Sequence, residues 1–185
     1  VCNGDGSIFD CGCFDYLECW DDSFVCDLND CPEEPHFLVE IEITGESTLF
    51  IFQDEITTLD TGDELGIFDS NGIIDSDGNT GEVLVGSGTW SGDQLEIAAI
   101  HSIDTSDWGG PILPGAIVGS AMVLKFWDAS AEEELVAEFD VSAGSATFDG
   151  LFTVISEVHL CDVPVGDCDC DGNILDECGV CGGDG

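Results

Sequence analysis

Oxygen-bearing side chains recur at every second position near the carboxyl end of the chain, and this spacing could bind a hard cation. Alternate residues of an extended loop point to one side, glycine permits a tight turn, and calcium takes carboxylate, amide and carbonyl oxygens. Position twelve of such a loop is normally a bidentate Glu but is Cys178 here, so Asp176 or Glu177 would have to close the site. The alternative is a solvated acidic loop. The predicted ligands are Asp167, Asp169, Asp171, Asn173 (through its carbonyl) and Asp176.

A loop in the middle of the chain has the same alternation of oxygen-bearing side chains. Four of them could surround one calcium ion, with a preceding acid or amide assisting. The alternative is a hairpin without metal, because Asn-Gly and Asp-Gly dipeptides form tight turns by themselves. The predicted ligands are Asp75, Asp77, Asn79 and Glu82, assisted by Asp69 or Asn71.

The amino-terminal segment repeats the pattern of the carboxyl-terminal one. In residues 2–13 and again in 168–181, oxygen ligands two positions apart are followed by glycine, an apolar pair and Asp. The first copy has the thinner ligand set, so calcium and a plain acidic loop both stay open there. Its candidate ligands are Asn3, Asp5, Ser7 and Asp10.

The composition indicates which partners are excluded and in what medium the chain folds. The chain has 185 residues with 41 Asp and Glu against one Lys or Arg, a formal net charge of -40. Nucleic acid is excluded as a direct partner because phosphate binding needs clusters of Lys and Arg. Direct binding to an anionic membrane is excluded as well, unless a divalent cation bridges the two. Since 43% of the residues are hydrophobic, we expect a folded chain in a medium rich in salt, calcium or both.

The cysteines divide the chain into three parts. Six precede residue 32 and five follow residue 160, with none in the 129 residues between. The two ends have too few apolar residues for a core, which predicts small disulfide-stapled caps at 1–35 and 161–185 around a domain at 36–160. Zinc bound by four carboxyl-terminal thiolates is the alternative. Disulfides predict a secreted, extracellular or cell-surface location. The predicted disulfide cysteines are Cys2, Cys11, Cys13, Cys19, Cys26, Cys31, Cys161, Cys168, Cys170, Cys178 and Cys181.

The central domain has the apolar/polar alternation of β-strands. Residues 36–43 and 134–141 alternate, and further β-rich runs are separated by Gly-containing turns. Seven or eight short strands at this spacing predict an all-β fold, an antiparallel β-sandwich. Residues 129–135 are compatible with one helical turn or with a hairpin loop. The further predicted strands are 48–52, 64–68, 82–90, 94–100, 120–127 and 152–160.

Residues 171–185, DGNILDECGVCGGDG, resemble the Cys/Asp/Gly repeats of large secreted bacterial proteins, which are similar to thrombospondin type 3 repeats. In that family the repeats wrap calcium ions, and disulfides join successive units. The resemblance implies calcium at Asp167, Asp169, Asp171 and Asp176, and a chain that continues beyond Gly185. The first residue is Val1 rather than Met, which also leads us to expect a processed form or a fragment.

The central domain has a resemblance of its own. The motifs GDELGIFD (62–69), LVG (84–86), GGPILPG (109–115) and VLKFWD (123–128) are similar to those of a β domain in secreted, often surface-attached bacterial proteins. The resemblance implies a fold and a location rather than a chemical activity.

Catalytic patterns are missing from the sequence. His36, His101 and His159 are far apart and lack a second metal ligand at the right spacing, and no G-x-S-x-G motif is present. We therefore expect a structural protein and no enzyme: a calcium-stabilised, disulfide-stapled subunit or repeat of a filament or surface assembly, which associates with identical subunits. The alternative is an adhesive or carbohydrate-binding module, with glycans stacked on tryptophan. The candidate tryptophans are Trp20, Trp90, Trp108 and Trp127, and Lys125 is expected to pair with a carboxylate such as Asp128.

Overall fold

A computed structural model describes residues 17–20, 23–32 and 34–161, with Cys161 described by its backbone alone. The chain divides into two compact units, residues 1–35 and 36–185. No helix in these described ranges combines the length and the apolar character that a bilayer span requires.

The described part of the first unit is a small hairpin with one disulfide. Strands β1 (Leu17–Glu18) and β2 (Phe24–Val25) pair antiparallel, and a 3₁₀ turn follows at Leu28–Asp30. The side chain of Asp27 caps this turn by accepting the Asn29 amide at 3.0 Å. A disulfide joins Cys19, directly after β1, to Cys31, directly after the 3₁₀ turn, with their Cα atoms 5.6 Å apart. A covalent bond therefore supports a segment that has almost no core of its own.

The second unit contains one large β-sheet. The strands of the second unit are β3 (Ser47–Phe52), β4 (Glu64–Ile73), β5 (Thr80–Thr89), β6 (Leu95–Ile100), β7 (Ile103–Asp104), β8 (Ile112–Leu113), β9 (Val123–Asp128), β10 (Glu133–Ala143) and β11 (Phe152–Cys161). In the large sheet they lie in the order β5-β4-β9-β10-β11-β3-β6, and all neighbours are antiparallel except β11 and β3, which are parallel. A separate two-stranded sheet is formed by β7 and β8.

The two edge strands of the large sheet, β5 and β6, come close to each other, so that the sheet is nearly closed into a barrel. Glycine in β5 makes the approach possible. A Cβ atom on Gly86 would lie 2.8 Å from Ile97 Cγ2 and 2.9 Å from the Ala98 carbonyl oxygen. The all-β class predicted from the sequence is thus confirmed, whereas the division into the two sheets of a sandwich is not. The prediction of purely antiparallel pairing is wrong at β3 and β11.

Alternation of apolar residues explains which face of each strand is buried. In β3 every second residue, Thr48, Phe50 and Phe52, is inaccessible to solvent, and the residues between them are more exposed. Leu124 and Phe126 alternate in the same way in β9. These inward positions form one hydrophobic cluster that includes Trp90, Leu65, Ile67, Phe148 and Ile155. Burial of this apolar surface is the main source of stability for the domain.

One predicted strand is absent. Residues 36–43 alternate like a strand but follow an irregular path with bends at 36, 37 and 41. Contacts with side chains, rather than backbone hydrogen bonds to a neighbouring strand, hold these residues in place. The backbone amides of His36 and Phe37 donate to the two oxygens of Glu64 at 3.0 Å each. The rings of Phe37 and Phe68 pack edge to face at 5.7 Å. Apolar alternation therefore reports burial of one side of this segment but not pairing with a strand.

Candidate functional site

The β4–β5 loop, defined here as residues 69–82 and so including the adjoining ends of both strands, contains the calcium ligands predicted for the middle of the chain. Asp69 lies within β4 and is buried, with 1% of its surface exposed. Its two carboxylate oxygens accept backbone amides from Asn71 at 3.0 Å and from Ile117 at 2.8 Å. This carboxylate joins β4 to a distant segment of chain, and both of its oxygens are occupied in doing so.

Asp75 organises the tip of the same loop. One of its oxygens accepts the amides of Asp77 at 3.0 Å and Asn79 at 3.1 Å, and the other accepts Asn79 Nδ2 at 2.7 Å. The hydrogen bonds from the Asn79 side chain and backbone lower the pKa of Asp75 from its usual value. The Ile74 amide closes the turn by donating to the Asn79 carbonyl at 2.9 Å. Asp75 therefore fixes the turn through hydrogen bonds within its own loop.

The remaining predicted ligands of this loop point to different partners. Glu82 lies in β5 and accepts a hydrogen bond from Lys125 Nζ at 2.8 Å. Asp77 and Asn71 are exposed. Among the described residues, the carboxylates of Asp75, Asp77 and Glu82 do not converge on one point as a metal-binding group. The structure thus brings Asp75 and Asn79 together but not the complete predicted set, and calcium binding here stays a prediction.

Lys125, the only Lys or Arg in the chain, binds two glutamates. Besides Glu82, its Nζ lies 3.5 Å from Glu134 Oε1, and it sits 4.4 Å from the centre of the Phe68 ring. Lys125 was expected to pair with Asp128, and the structure pairs it with these two glutamates instead. Asp128 Oδ1 instead accepts the amides of Ser130 and Ala131, 2.8 Å each, and so caps the β9–β10 turn.

Two histidines have structural partners. His36 stacks on Trp127 with ring centres 3.8 Å apart, and its Nε2 lies 3.0 Å from Glu134 Oε2. His101 is buried, and its Nε2 lies 2.9 Å from Thr48 Oγ1. Because the single hydroxyl proton of Thr48 is donated to the Gly150 carbonyl at 2.9 Å, the His101 ring must donate from Nε2–H. Burial lowers the pKa of His101, which favours the neutral ring.

A cluster on the outer face of β10 and β11 was not predicted. Asp140 pairs with Glu157 across the two strands, and His159 follows Glu157 by two residues, so their side chains share one face. His159 Nε2 lies 3.1 Å from Asp140 Oδ2 and 3.8 Å from Glu157 Oε2. The donor types suit a divalent cation, but exposed acidic groups are common without one, so we assign no ion to them. Only the pairing of β10 with β11 brings these residues together, and the sequence does not reveal that pairing.

The four tryptophans differ in their exposure. Trp90 is buried in the core, and Trp127 is covered by His36. Trp20 is partly exposed and donates from Nε1 to the Pro32 carbonyl at 2.8 Å. Trp108 is 82% exposed and ends a 3₁₀ turn, Ser106–Trp108. Among these four side chains, Trp108 has the largest surface available for stacking.

The predicted sites in the two caps lie largely outside the described residues. Cys19 and Cys31 form a disulfide, and Cys26 is disulfide-bonded too. The other predicted disulfide cysteines fall outside the described side chains, as do the cap ligands. Those ligands are Asn3, Asp5, Ser7, Asp10, Asp167, Asp169, Asp171, Asn173 and Asp176.

Comparison with known proteins leaves the chain without an assigned family. Scans of protein-family models, curated proteins and solved structures found no match. The resemblances seen in the sequence therefore stay predictions, and function has to be argued from the residues themselves.

Proposed function

We propose that this chain is an extracellular structural protein, a calcium-stabilised and disulfide-stapled subunit or repeat of a filament or surface assembly. The charge balance of the folded domain carries the proposal. Its single Lys, Lys125, is already shared between Glu82 and Glu134, so protein cations cannot balance the other carboxylates. Dissolved cations must balance them, and calcium is the one that oxygen ligands at alternate positions would select.

The way the domain uses its acids supports a structural role. Asp75, Asp128 and Asp149 each accept several hydrogen bonds within their own turn, and these lower the pKa of each carboxyl group from its usual value. For Asp149 the donors are the hydroxyls of Thr147 and Ser145. Carboxylates that fix turns in this way hold the backbone in shape, which suits a scaffold.

Calcium and disulfides would act mainly at the two ends. The Cys19–Cys31 disulfide supports stapling of the amino-terminal cap. The proposed calcium ligands at both ends repeat one sequence pattern, so copies or neighbouring repeats could join there in a cation-dependent way. Subunits that carry -40 each would otherwise repel at close range.

Electron microscopy of native material with and without a chelator tests the proposal. We expect ordered assemblies in calcium that dissociate or soften in EGTA and recover when calcium is restored. Magnesium and sodium at equal ionic strength are the matched controls, because they screen charge without matching the ligand geometry of calcium. Assemblies that keep their form and full protease resistance in EGTA would contradict the proposal, as would a chain that stays monomeric in calcium.

The second candidate function, an adhesive or carbohydrate-binding module, is favoured by Trp108. Its exposed ring is available for stacking on a sugar face. A glycan array tests this function with the full chain and with Trp108→Ala. Leu151→Ala is a matched control because Leu151 is 83% exposed. Binding that is lost in the first variant and kept in the second would support the module, and an array without any binding would contradict it.

A further inference from the structure

An apolar groove lies on the surface of the second unit, beside the loop between β4 and β5, and its lining does not include the β10–β11 cluster. It has a volume of about 450 Å³ and is formed by the irregular segment 40–42, residues 74 and 76 of the β4–β5 loop, and residues 111–114, which include β8. Its apolar lining includes Ile41, Ile74, Ile112 and Leu113. Ile74 is 45% exposed and contributes to the accessible apolar surface of the groove.

Backbone contacts hold the groove in a preformed shape. Ile73 and Gly115 exchange two hydrogen bonds of 2.9 Å, which fixes the segment that leads out of β8 against the end of β4. Gly78 has a positive φ of 81° and lies beneath Ile112, where a Cβ atom would be 2.9 Å from Ile112 Cδ1. A bound segment would therefore contact an apolar surface that is already ordered, so little free energy would be lost in ordering it.

The charges around the groove restrict what can occupy it. Glu40 and Glu42 are exposed and flank Ile41 in the lining. The only Lys or Arg of the chain binds Glu82 and Glu134, neither of which lines the groove. A second copy of this chain carries the same net charge of -40 over its whole surface, so like charges would face Glu40 and Glu42. A cationic occupant instead gains attraction at the rim and apolar burial on the floor.

We propose that the groove is a docking site for another protein, through an apolar segment flanked by Lys or Arg. The apolar side chains of the partner lie on Ile74, Ile112 and Leu113, and its cations face Glu40 and Glu42. Apolar contact provides most of the affinity, and the two glutamates increase the association rate and orient the segment. The proposal holds whether or not the chain is a subunit of an assembly.

Chemical-shift mapping of the full chain, with synthetic peptides as probes, tests the proposal. The probe is a peptide of alternating Leu and Lys, and its controls are Leu with Glu and Gly with Lys. We expect saturable amide shift changes at Ile41, Ile74, Ile112 and Leu113 with the Leu/Lys peptide. The Leu/Glu peptide should not bind, and the Gly/Lys peptide should give small shifts spread over the acidic surface.

Two variants separate docking from general attraction to a polyanion. Glu40→Gln with Glu42→Gln should weaken binding of the Leu/Lys peptide by roughly fivefold at low salt, and Ile74→Ser should weaken it by roughly three- to tenfold. The matched control is Asp54→Asn with Glu55→Gln, which removes two exposed acids outside the groove and should have little effect. The spectra of the free variants report that each is folded.

Two outcomes would overturn the proposal. In the first, the control pair weakens binding as much as the groove pair and the shifts remain scattered, which means that the peptide binds only through overall charge. In the second, the groove signals move with protein concentration when no peptide is present. That result would identify a second copy of the chain as the occupant.

Discussion

The loop between β4 and β5 and the outer face of β10–β11 are both rich in acids, but they use them differently. In the loop, Asp69 accepts a backbone amide with each of its two oxygens. Asp75 accepts two backbone amides with one oxygen and the side-chain amide of Asn79 with the other. On the β10–β11 face, the partner seen for Asp140 and Glu157 is the side chain of His159. Acidic residues fix the backbone through hydrogen bonds in the first region, whereas in the second they lie on an exposed surface.

This difference shows which acids matter for stability. A buried carboxylate that satisfies two amides leaves both unpaired when it is removed, and an unpaired buried amide costs free energy. An exposed carboxylate beside other charges leaves nothing unpaired that water cannot reach. The sequence, in which Asp69 and Asp140 are both simply aspartates near apolar residues, does not reveal this distinction.

Asp69→Ala should cause the largest loss. The amides of Asn71 and Ile117 would lose the buried carboxylate that accepts both, and we expect the free energy of unfolding to fall by roughly 2–4 kcal/mol. Urea denaturation at neutral pH measures it. Asp77→Ala, an exposed change in the same loop, is the control and should stay within about 0.5 kcal/mol of the parent. Equal effects of the two substitutions would mean that the burial of Asp69 and its two amide contacts add nothing to stability beyond what an exposed aspartate gives.

Acidification should cause the next largest effect, through His101. Burial lowers its pKa below the value of 6.5 expected in the unfolded chain, so the unfolded state binds the proton more readily. The contribution of His101 is complete above pH 6.5 and is lost as the pH falls through the lowered pKa.

Thermal unfolding between pH 7.5 and 5 checks this pH dependence. His101→Gln should lose part of the pH dependence, since its amide can still donate to Thr48 but does not titrate. His159→Gln, on the exposed face, is the control and should keep the His101 contribution. A His101→Gln profile parallel to that of the parent would contradict the assignment.

Asp75→Ala should have a smaller effect than Asp69→Ala. The turn it caps is exposed, so water can replace the lost acceptor for Asp77 and Asn79. We expect a small decrease in melting temperature and faster hydrogen exchange of the Asn79 amide. Asp75→Asn, which keeps one acceptor oxygen, should restore part of the protection. Unchanged exchange in the Ala variant would show that this carboxylate does not hold the turn.

Asp140→Asn combined with Glu157→Gln should have the smallest effect. Both groups are exposed, and the change removes two negative charges from a domain that has an excess of them. We expect the free energy of unfolding of the variant to stay within about 0.5 kcal/mol of that of the parent. At low salt it should not fall below the parent value. Urea denaturation at two salt concentrations measures this, and a large destabilisation would mean that the β10–β11 face is as structural as the loop.

Much of the fold could be predicted because alternation is a local property. Residues 48–52, 94–100 and 152–160 were predicted as strands and lie in β3, β6 and β11 almost to the residue. Residues 36–43 show where this signal fails, because the Glu64 carboxylate and the Phe68 ring hold that segment without a ladder. The short pair β7 and β8 was missed, since two-residue strands are too short to show a period.

The candidate sites were less predictable because they depend on contacts distant in sequence. Spacing could place Asp75 and Asn79 in one turn, four residues apart, and the structure joins them. It could not show that Glu82 binds Lys125, 43 residues away, or that Ile117 occupies an oxygen of Asp69. The groove combines residues near 41, 74 and 112, and nothing in their local sequences connects them.

The sequence alone determined the charge, the all-β class and most strand positions, because composition and apolar alternation depend only on each residue and its neighbours in the sequence. The tertiary structure decided the near-barrel closure, the parallel pairing of β3 with β11 and the partners of each carboxylate. Alternation says which face of a strand is buried but not which strand lies beside it. In a chain with 41 acids and one Lys, that choice of neighbour separates an aspartate that holds the fold from one that faces solvent.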